Sequence, residues 1–159
     1  MPFESYITDL IFFNPPNFQH SLNLATFDFE RMPNSKHLAL VHKFIQTCKN
    51  SNNFMRVMGS ATPIEVDEDR VKVEFVVDEL MTNPHSTLHG GCTATLIDIA
   101  TTAACLIKRG QPGVSVDLHV SYLAAAQKGE TVVLDSVVTK MGKSLAFTKV
   151  VFSLRKVKA

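Results

Sequence analysis

Apolar residues recur at helical spacing soon after Ser35, a residue type that often caps helices. They follow at steps of three, four and three residues: Leu38, Val41, Ile45 and Cys48. The polar stretch KNSNN ends the pattern. This spacing predicts one amphipathic helix, because residues three and four apart share a helix face.

A second segment, residues 88–109, is apolar almost all round. It reads LHGGCTATLIDIATTAACLIKR and stops before Gly110, with Pro112 just beyond, as helices do. A helix with so little polar surface has to be covered by other elements. We therefore predict a long, buried helix.

The other apolar segments show the alternation that is typical of strands. Residues 54–66 and 70–79 are predicted as two strands joined by the turn DEDR. The stretch GVSVDLHVSYL alternates strictly, which predicts a strand with its valines and Leu118 on one face and Ser115 on the other. Two further strands, TVVLDSVVT and LAFTKVVFSL, are predicted to form a hairpin through KMGKS.

The order of these elements predicts an α+β fold, with an antiparallel sheet curled around the long helix. A chain of 159 residues, 45% of them hydrophobic, is large enough for one domain with a buried core. We place this domain at residues 35–159. Residues 1–34 show no sustained period and contain FFNPPNF and MPNS, so we expect an irregular N-terminal extension.

Charge and cysteine content narrow the function classes. A net charge of +1 and a pI near 7.8 give no electrostatic basis for nucleic-acid binding. The three cysteines show no CxxC pairing, which favours reduced thiols over disulfides or a zinc site. No run approaches the roughly 18 apolar residues of a membrane span, and the first 30 residues resemble no signal or transit peptide. We expect a cytoplasmic protein, with mitochondria as the alternative, and no stable membrane insertion.

The start of the long helix carries a candidate active site. The first N–H groups of a helix have no internal partner and lie at the positive end of its dipole. Because Gly90 and Gly91 have no side chains, a ligand oxygen can approach those N–H groups closely. An oxyanion hole for acyl transfer needs such donors, and Asn83 could supply a second one. The structural alternative is a tight turn or close helix packing.

Asp98 stands in the middle of the same helix, among apolar residues. Burying an unpaired carboxylate costs several kcal/mol, so this residue is a candidate general base or nucleophile. Eight residues separate it from Gly90, about 12 Å along a helix. If the two groups act on one carbon, the aspartate must come from a second subunit. The alternative is an acid satisfied within a monomeric core.

Two other arrangements are less favoured. His85 and His89 stand four residues apart, but Pro84 precedes them and no third ligand follows, so we expect no metal. Ser115 has no histidine at triad-like spacing and is not expected to be a nucleophile. It is expected to hold a water molecule or the aspartate, or to be an ordinary surface serine.

The stretches NPHSTLHGGCTATLID, RGQPGVSVDLHVSYL and KMGKSLAFT together resemble the hotdog-fold acyl-CoA thioesterases of the phenylacetate-degradation type. The resemblance covers roughly residues 36–156. It implies a long helix wrapped by an antiparallel sheet, assembled as dimers that often pair into tetramers, and no metal or organic cofactor. It also implies hydrolysis of acyl-CoA to free acid and coenzyme A.

The resemblance assigns roles to individual positions. Gly90 and Asn83 match the donors to the thioester carbonyl, and Asp98 matches the carboxylate that activates water across the dimer interface. Ser115 matches its helper, and His89 matches a positioning histidine. The substrate-binding positions it implies are Gly91, Tyr122, Gly142, Lys143, Ser144 and Leu145. Among these, Lys143 is the expected cation for the phosphates of coenzyme A.

Three departures from the family pattern stand out. Ser86 stands where the family commonly has glycine, and AAAQ at 124–127 replaces a segment with a lysine near the coenzyme A site. The last family strand, which lies between its predecessor and the strand matching 113–123, is missing. The chain could be truncated, close the gap by a shift, or fill it with its own N-terminal extension. A non-catalytic subunit that binds acyl-CoA or a sibling chain is the alternative to an enzyme.

Overall fold

The computed structural model describes residues 4–13 and 34–155. Six strands form one antiparallel sheet: β1 (Glu4–Phe13), β2 (Thr62–Val66), β3 (Arg70–Val76), β4 (Val114–Tyr122), β5 (Thr131–Met141) and β6 (Leu145–Leu154). Their order across the sheet is β2-β3-β5-β6-β1-β4. The β2–β3 and β5–β6 hairpins join strands that are consecutive in the chain, as the sequence predicted.

Two α-helices pack with this sheet: α1 (Asn34–Asn50) and α2 (Gly90–Arg109). Both were predicted, and α2 ends as expected at Gly110, whose φ of 77° is the left-handed conformation that suits glycine. The helix begins at Gly90, two residues later than predicted, because His89 caps it from outside. This arrangement of a long helix against an antiparallel sheet confirms the predicted hotdog architecture.

Most of α2 is buried by the sheet and by α1, which explains its composition. By length and apolarity alone this helix could also cross a membrane, but a buried core helix has the same character. One side of it is not fully covered by the described residues. Gly91, Thr95, Asp98 and Thr102 follow at steps of four, three and four and lie on this side.

The first strand corrects the prediction of irregular chain over residues 1–34. Glu4–Phe13 is a strand of the sheet and pairs with β6 on one side and β4 on the other. It occupies the place that the resemblance assigned to the missing last strand. Of the three alternatives for that gap, the structure shows the N-terminal segment filling it. Residues 14–33 lie outside the described part of the chain.

The prediction of a strand over 54–66 is wrong in its first half. Phe54–Ser60 is a 3₁₀ helix, and its first turn is capped by Asn53, whose side chain accepts a hydrogen bond from Met55 N–H. Gly59 lies so close to α1 that a side-chain carbon there would be 2.6 Å from Lys49 Cα. A second short 3₁₀ helix, Glu79–Met81, replaces the end of the strand predicted over 70–79.

The strict alternation predicted for 113–123 is broken by a β-bulge in β4. Ile11 pairs with Asp117, but the next residue of β1, Phe12, pairs with Ser115, so Val116 is an extra residue. The bulge moves Ser115 to the face that carries Leu118, because directly paired residues point to the same side. Ser115 therefore faces α2 rather than the side opposite Leu118.

Candidate active site

At the start of α2, the backbone N–H of Gly90 has no acceptor among the described residues. The Nδ1 atom of His89 accepts a hydrogen bond of 2.9 Å from Gly91 N–H. The N–H of Thr93 donates the first hydrogen bond of the helical pattern, to the carbonyl oxygen of His89 at 2.9 Å. No described residue accepts a hydrogen bond from Gly90 N–H. Of the two adjacent glycines, Gly90 is thus the one whose N–H can bind a ligand.

Packing within the chain does not require glycine at position 90. A side-chain carbon there would meet the ring of Tyr122 at 3.5 Å, which is an ordinary contact distance. The hydroxyl of Tyr122 donates a hydrogen bond of 3.0 Å to the carbonyl oxygen of Gly90, so β4 ends over the first turn of α2. The bare backbone at this position leaves room for a ligand rather than for a neighbouring element.

Asn83 organises the loop that leads to this helix. Its side-chain oxygen accepts hydrogen bonds from His85 N–H at 2.9 Å and Thr87 N–H at 3.3 Å. Its amide donates to the hydroxyl of Thr87 at 2.8 Å. A primary amide has two N–H groups, so one donor remains for a ligand. Ser86, in the same loop, has a φ of 58°, which lies in the left-handed region that favours glycine.

Asp98 is held by a hydroxyl from the neighbouring strand. Ser115 Oγ donates a hydrogen bond to Asp98 Oδ1. The described residues supply no partner for the other carboxylate oxygen, and the side chain lies on the partly exposed side of α2. This contact matches the expectation that Ser115 holds the aspartate, and it leaves one oxygen of Asp98 free to accept a proton.

The described chain does not bring Asp98 and Gly90 together. Both residues belong to α2, eight positions apart, which corresponds to about 12 Å along the axis. The Gly90 N–H and the Asp98 carboxylate therefore lie in different places on one chain.

The hairpin predicted to bind substrate phosphates lies at the other end of α2. Arg109, in the last turn, donates hydrogen bonds to the carbonyl oxygens of Lys143 at 2.7 Å and Gly142 at 3.4 Å. Ser144 and Leu145 complete this exposed turn. The helix is 20 residues long, so the hairpin and Gly90 are separated by about 28 Å along the helix axis. Lys143 and Gly90 of one chain are too far apart to share the reacting end of a ligand.

A cleft of about 810 Å³ opens beside the helix start. His89, Gly91, Cys92 and Thr95 form one wall, and the two 3₁₀ helices form the other. Arg56 also lines it, and this exposed guanidinium makes no hydrogen bond or ion pair with another described residue. Arg56 was not among the site residues predicted from the sequence. Its one signal was a lone cation in the apolar stretch FMRVMGS, and only tertiary packing brings it to the helix.

Cysteine and metal chemistry find little support at this site. Cys92 lines the cleft, but burial, and to a smaller extent the charge of Asp78, raises the pKa of its thiol to about 11. Burial raises the pKa of Cys48 to about 11 and that of Cys105 to about 12. These thiols stay neutral near pH 7 and are poor nucleophiles. Within residues 4–13 and 34–155, no three His, Cys, Asp or Glu side chains form a group that could hold a metal.

Comparisons with known proteins agree with this architecture. A family model described as "Thioesterase superfamily" matches residues 85–157. Human acyl-coenzyme A thioesterase 13 is 43% identical over 111 residues, which are 69% of this chain and 79% of that protein. The structure of zebra fish thioesterase superfamily member 2 superposes with a TM-score of 0.65 at 31% identity, covering 74% of this chain and 96% of that one. The E. coli PaaI protein shares the fold, with a TM-score of 0.55 at 21% identity over 77% of this chain and 98% of its own. The resemblance stated from the sequence is confirmed: the chain belongs to the thioesterase superfamily.

Proposed function

We propose that this protein hydrolyses acyl-coenzyme A thioesters to a free acid and coenzyme A. The observation that carries the proposal is the Gly90 N–H at the positive end of α2, which has no acceptor among the described residues and lies next to Gly91, a residue that lines the cleft. The name of the human relative, acyl-coenzyme A thioesterase 13, supports the choice of substrate class. Asp98, of which one carboxylate oxygen has no partner in the described part of the chain, supplies the base that hydrolysis requires.

In the proposed mechanism the thioester carbonyl oxygen accepts hydrogen bonds from Gly90 N–H and from the second N–H of the Asn83 amide. Asp98 takes a proton from a water molecule whose oxygen attacks the carbonyl carbon. The tetrahedral intermediate then collapses, the C–S bond breaks, and the proton passes from Asp98 to the leaving sulfur. The hydrogen bond from Ser115 keeps the carboxylate oriented during both steps.

The separation of Asp98 and Gly90 along one helix leads to a second part of the proposal, a site shared between two copies of the chain. The edge of β4 has no strand beside it among the described residues, and several of its apolar side chains are exposed: Val114, Val116 and Tyr122. The partly exposed side of α2 carries Asp98. We propose a homodimer in which Asp98 of one copy faces Gly90 of the other.

The test is hydrolysis of a medium-chain acyl-CoA by the wild type, Asp98→Ala and the matched control Asp69→Ala, which removes a carboxylate from the β2–β3 turn. We expect Asp98→Ala to lose activity by at least roughly a hundredfold and Asp69→Ala to keep it. Equal rates for an active wild type and Asp98→Ala would overturn the role of Asp98, and a wild type that does not exceed the uncatalysed rate would overturn the enzymatic proposal.

Mixing two inactive variants tests the shared site. If Gly90→Val and Asp98→Ala chains exchange freely, half of the dimers are hybrids, and each hybrid has one intact site of two. The mixture should then recover about a quarter of wild-type activity. No recovery, with hybrids demonstrated by mass spectrometry of tagged chains, would place the site within one subunit.

The alternative of a non-catalytic subunit depended on the missing last strand. β1 takes the place of that strand in the sheet, so this feature no longer favours the alternative.

A further inference from the structure

β4 carries two residues of the candidate site, Ser115 and Tyr122, and among the described strands it has only β1 as a neighbour. The N-terminal segment, which was predicted from the sequence to be an irregular extension, therefore joins this part of the site to the rest of the sheet. We infer that β1 positions Ser115 against Asp98, with Phe12 as the positioning residue. The expected effect on kcat rests on the proposed function, whereas the expected effect on the structure of β4 does not.

The register of β1 decides which way Ser115 points. Phe12 pairs directly with Ser115, and the bulge at Val116 lies next to this pair. With regular pairing, Val116 would be opposite Phe12, and Ser115 would face away from α2. The hydrogen bond from Ser115 to Asp98 thus depends on β1 holding β4 in the bulged register.

Phe12 is held by neighbours on β4 and β6 and by a close contact with Gly113. It is only 1% exposed, and on its other side it pairs with Ala146 of β6. It also contacts Gly113, where a side-chain carbon would lie 3.0 Å from Phe12 Cβ and 3.1 Å from the carbonyl oxygen of Phe13. Two residues before Ser115, the chain can approach β1 this closely only because Gly113 has no side chain.

A buried hydrogen bond holds β1 against β6. The hydroxyl of Thr148 donates to the carbonyl oxygen of Leu10 at 3.1 Å. β6 in turn pairs with β5 along its length, so the position of β1 is set by the central strands of the sheet. The chain of contacts runs from β6 through Phe12 to Ser115 and ends at Asp98.

The experiment compares Phe12→Leu with Phe75→Leu, the same change at a buried residue of β3. Each variant is made in the wild type and in Ser115→Ala, and kcat and KM are measured at a temperature where all the proteins are folded. We expect Phe12→Leu to lower kcat about five- to tenfold in the wild type and less than about twofold in Ser115→Ala. Phe75→Leu should change kcat less than about twofold in both.

A second variant and a second measurement guard against misfolding and inactivity. Gly113→Ala pushes β1 and β4 apart next to Ser115 and should give the same dependence on Ser115 as Phe12→Leu. Hydrogen exchange of the β4 amides, which needs no activity, should speed up at least roughly tenfold in Phe12→Leu relative to Phe75→Leu.

The outcomes separate the two proposals. If Phe12→Leu lowers kcat equally in the presence and absence of Ser115, or if β4 exchange is unchanged, β1 does not position Ser115 and the inference is wrong. If the wild type hydrolyses no acyl-CoA while β4 exchange responds to Phe12→Leu, the proposed function fails and the structural role of β1 stands.

Discussion

The Tyr122 hydroxyl donates a hydrogen bond of 3.0 Å to the carbonyl oxygen of Gly90, while the N–H of the same glycine has no acceptor among the described residues. One side of this residue is thus fixed by β4, and its other polar group remains for a ligand. This asymmetry distinguishes a binding role from a packing role and leads to the first prediction.

Gly90→Ala should lower activity without lowering stability. The added methyl group meets Tyr122 at ordinary contact distance, and alanine is the better helix former by about 0.5–1 kcal/mol. It also covers the approach to the N–H group, so kcat/KM for acyl-CoA should fall at least about tenfold. Thermal unfolding measures the stability, and steady-state kinetics measure kcat/KM. A variant that loses stability as well would indicate that glycine is needed there for packing.

Arg56→Gln should weaken binding of the nucleotide part of the substrate. The guanidinium lines the cleft beside the helix start and has no side-chain partner within residues 4–13 and 34–155, so it can meet a phosphate group. We expect KM for acyl-CoA to rise about three- to tenfold with kcat nearly unchanged. The corresponding N-acetylcysteamine thioester has no phosphates and should show no change.

Lys143→Gln provides the comparison, because this lysine was the cation predicted from the sequence. In a shared site, the hairpin of a second copy could lie near the cleft. If only Lys143→Gln raises KM, the prediction from the sequence is favoured. If KM is unchanged in both variants, neither cation binds the phosphates.

Ser86→Gly should stabilise the protein. A residue with a side chain at a φ of 58° is strained by about 1–2 kcal/mol, which glycine avoids. Glycine also makes the unfolded chain more flexible, so we expect a net gain of about 0.5–1 kcal/mol in the free energy of unfolding. Ser60→Gly is the control, since Ser60 is not among the residues with positive φ, and it should lower stability.

His37→Leu should also stabilise the protein. This side chain of α1 is 2% exposed, and neither ring nitrogen has a hydrogen-bond partner among the described residues. A buried polar group without a partner costs about 1–3 kcal/mol, which an apolar side chain avoids. His42→Leu, at an exposed position of the same helix, should change the free energy of unfolding by less than about 0.5 kcal/mol.

Asp135 should make the stability of the sheet dependent on pH. Burial alone would raise the pKa of this carboxyl group, but the hydrogen bond from Arg70 and the charges of Lys72 and Arg70 outweigh it and lower the pKa. A lowered folded-state pKa means that the stabilisation is present above the ordinary pKa of about 4 and is lost as the pH falls below it.

Asp135→Asn should therefore lower the free energy of unfolding by about 1.5–3 kcal/mol at pH 7. Denaturant titrations should show the difference from the wild type shrinking below about pH 4. Glu68→Gln, at a mostly exposed position, is the control and should have little effect at any pH. A difference that stays constant down to pH 2 would contradict the assignment to the charged form.

The sequence predicted those helices and strands that are determined by residues close to one another in the chain. The buried helix, its glycine stop and the β5–β6 hairpin all follow from spacing and turn chemistry. The contact between Ser115 and Asp98 was anticipated as one of several possibilities, but the sequence could not choose among them. The β-bulge that brings Ser115 to the helix is invisible in GVSVDLHVSYL, which reads as a regular strand.

Residues 4–13 were missed for a different physical reason. The segment ESYITDLIFF becomes a strand because β4 and β6 both offer it an unpaired edge, and those edges are distant in the chain. Arg56 was missed in the same way, since its place beside His89 results from the packing of the 3₁₀ helix against α2. The residues of a short segment indicate its propensity for helix or strand, but they do not indicate a pairing partner that lies far away in the sequence.

The position of β1 between β6 and β4 also has a consequence for folding kinetics. Leu10 and Thr148 are 138 residues apart in sequence, so β1 and β6 can pair only after nearly the whole domain has been synthesised. Until then β1 and β4 can pair only with each other, because β6 is the strand that joins them to the rest of the sheet. We expect the β2–β3–β5 half of the sheet to form early, and the half that carries Ser115 to form last, as the slow step that closes a large loop.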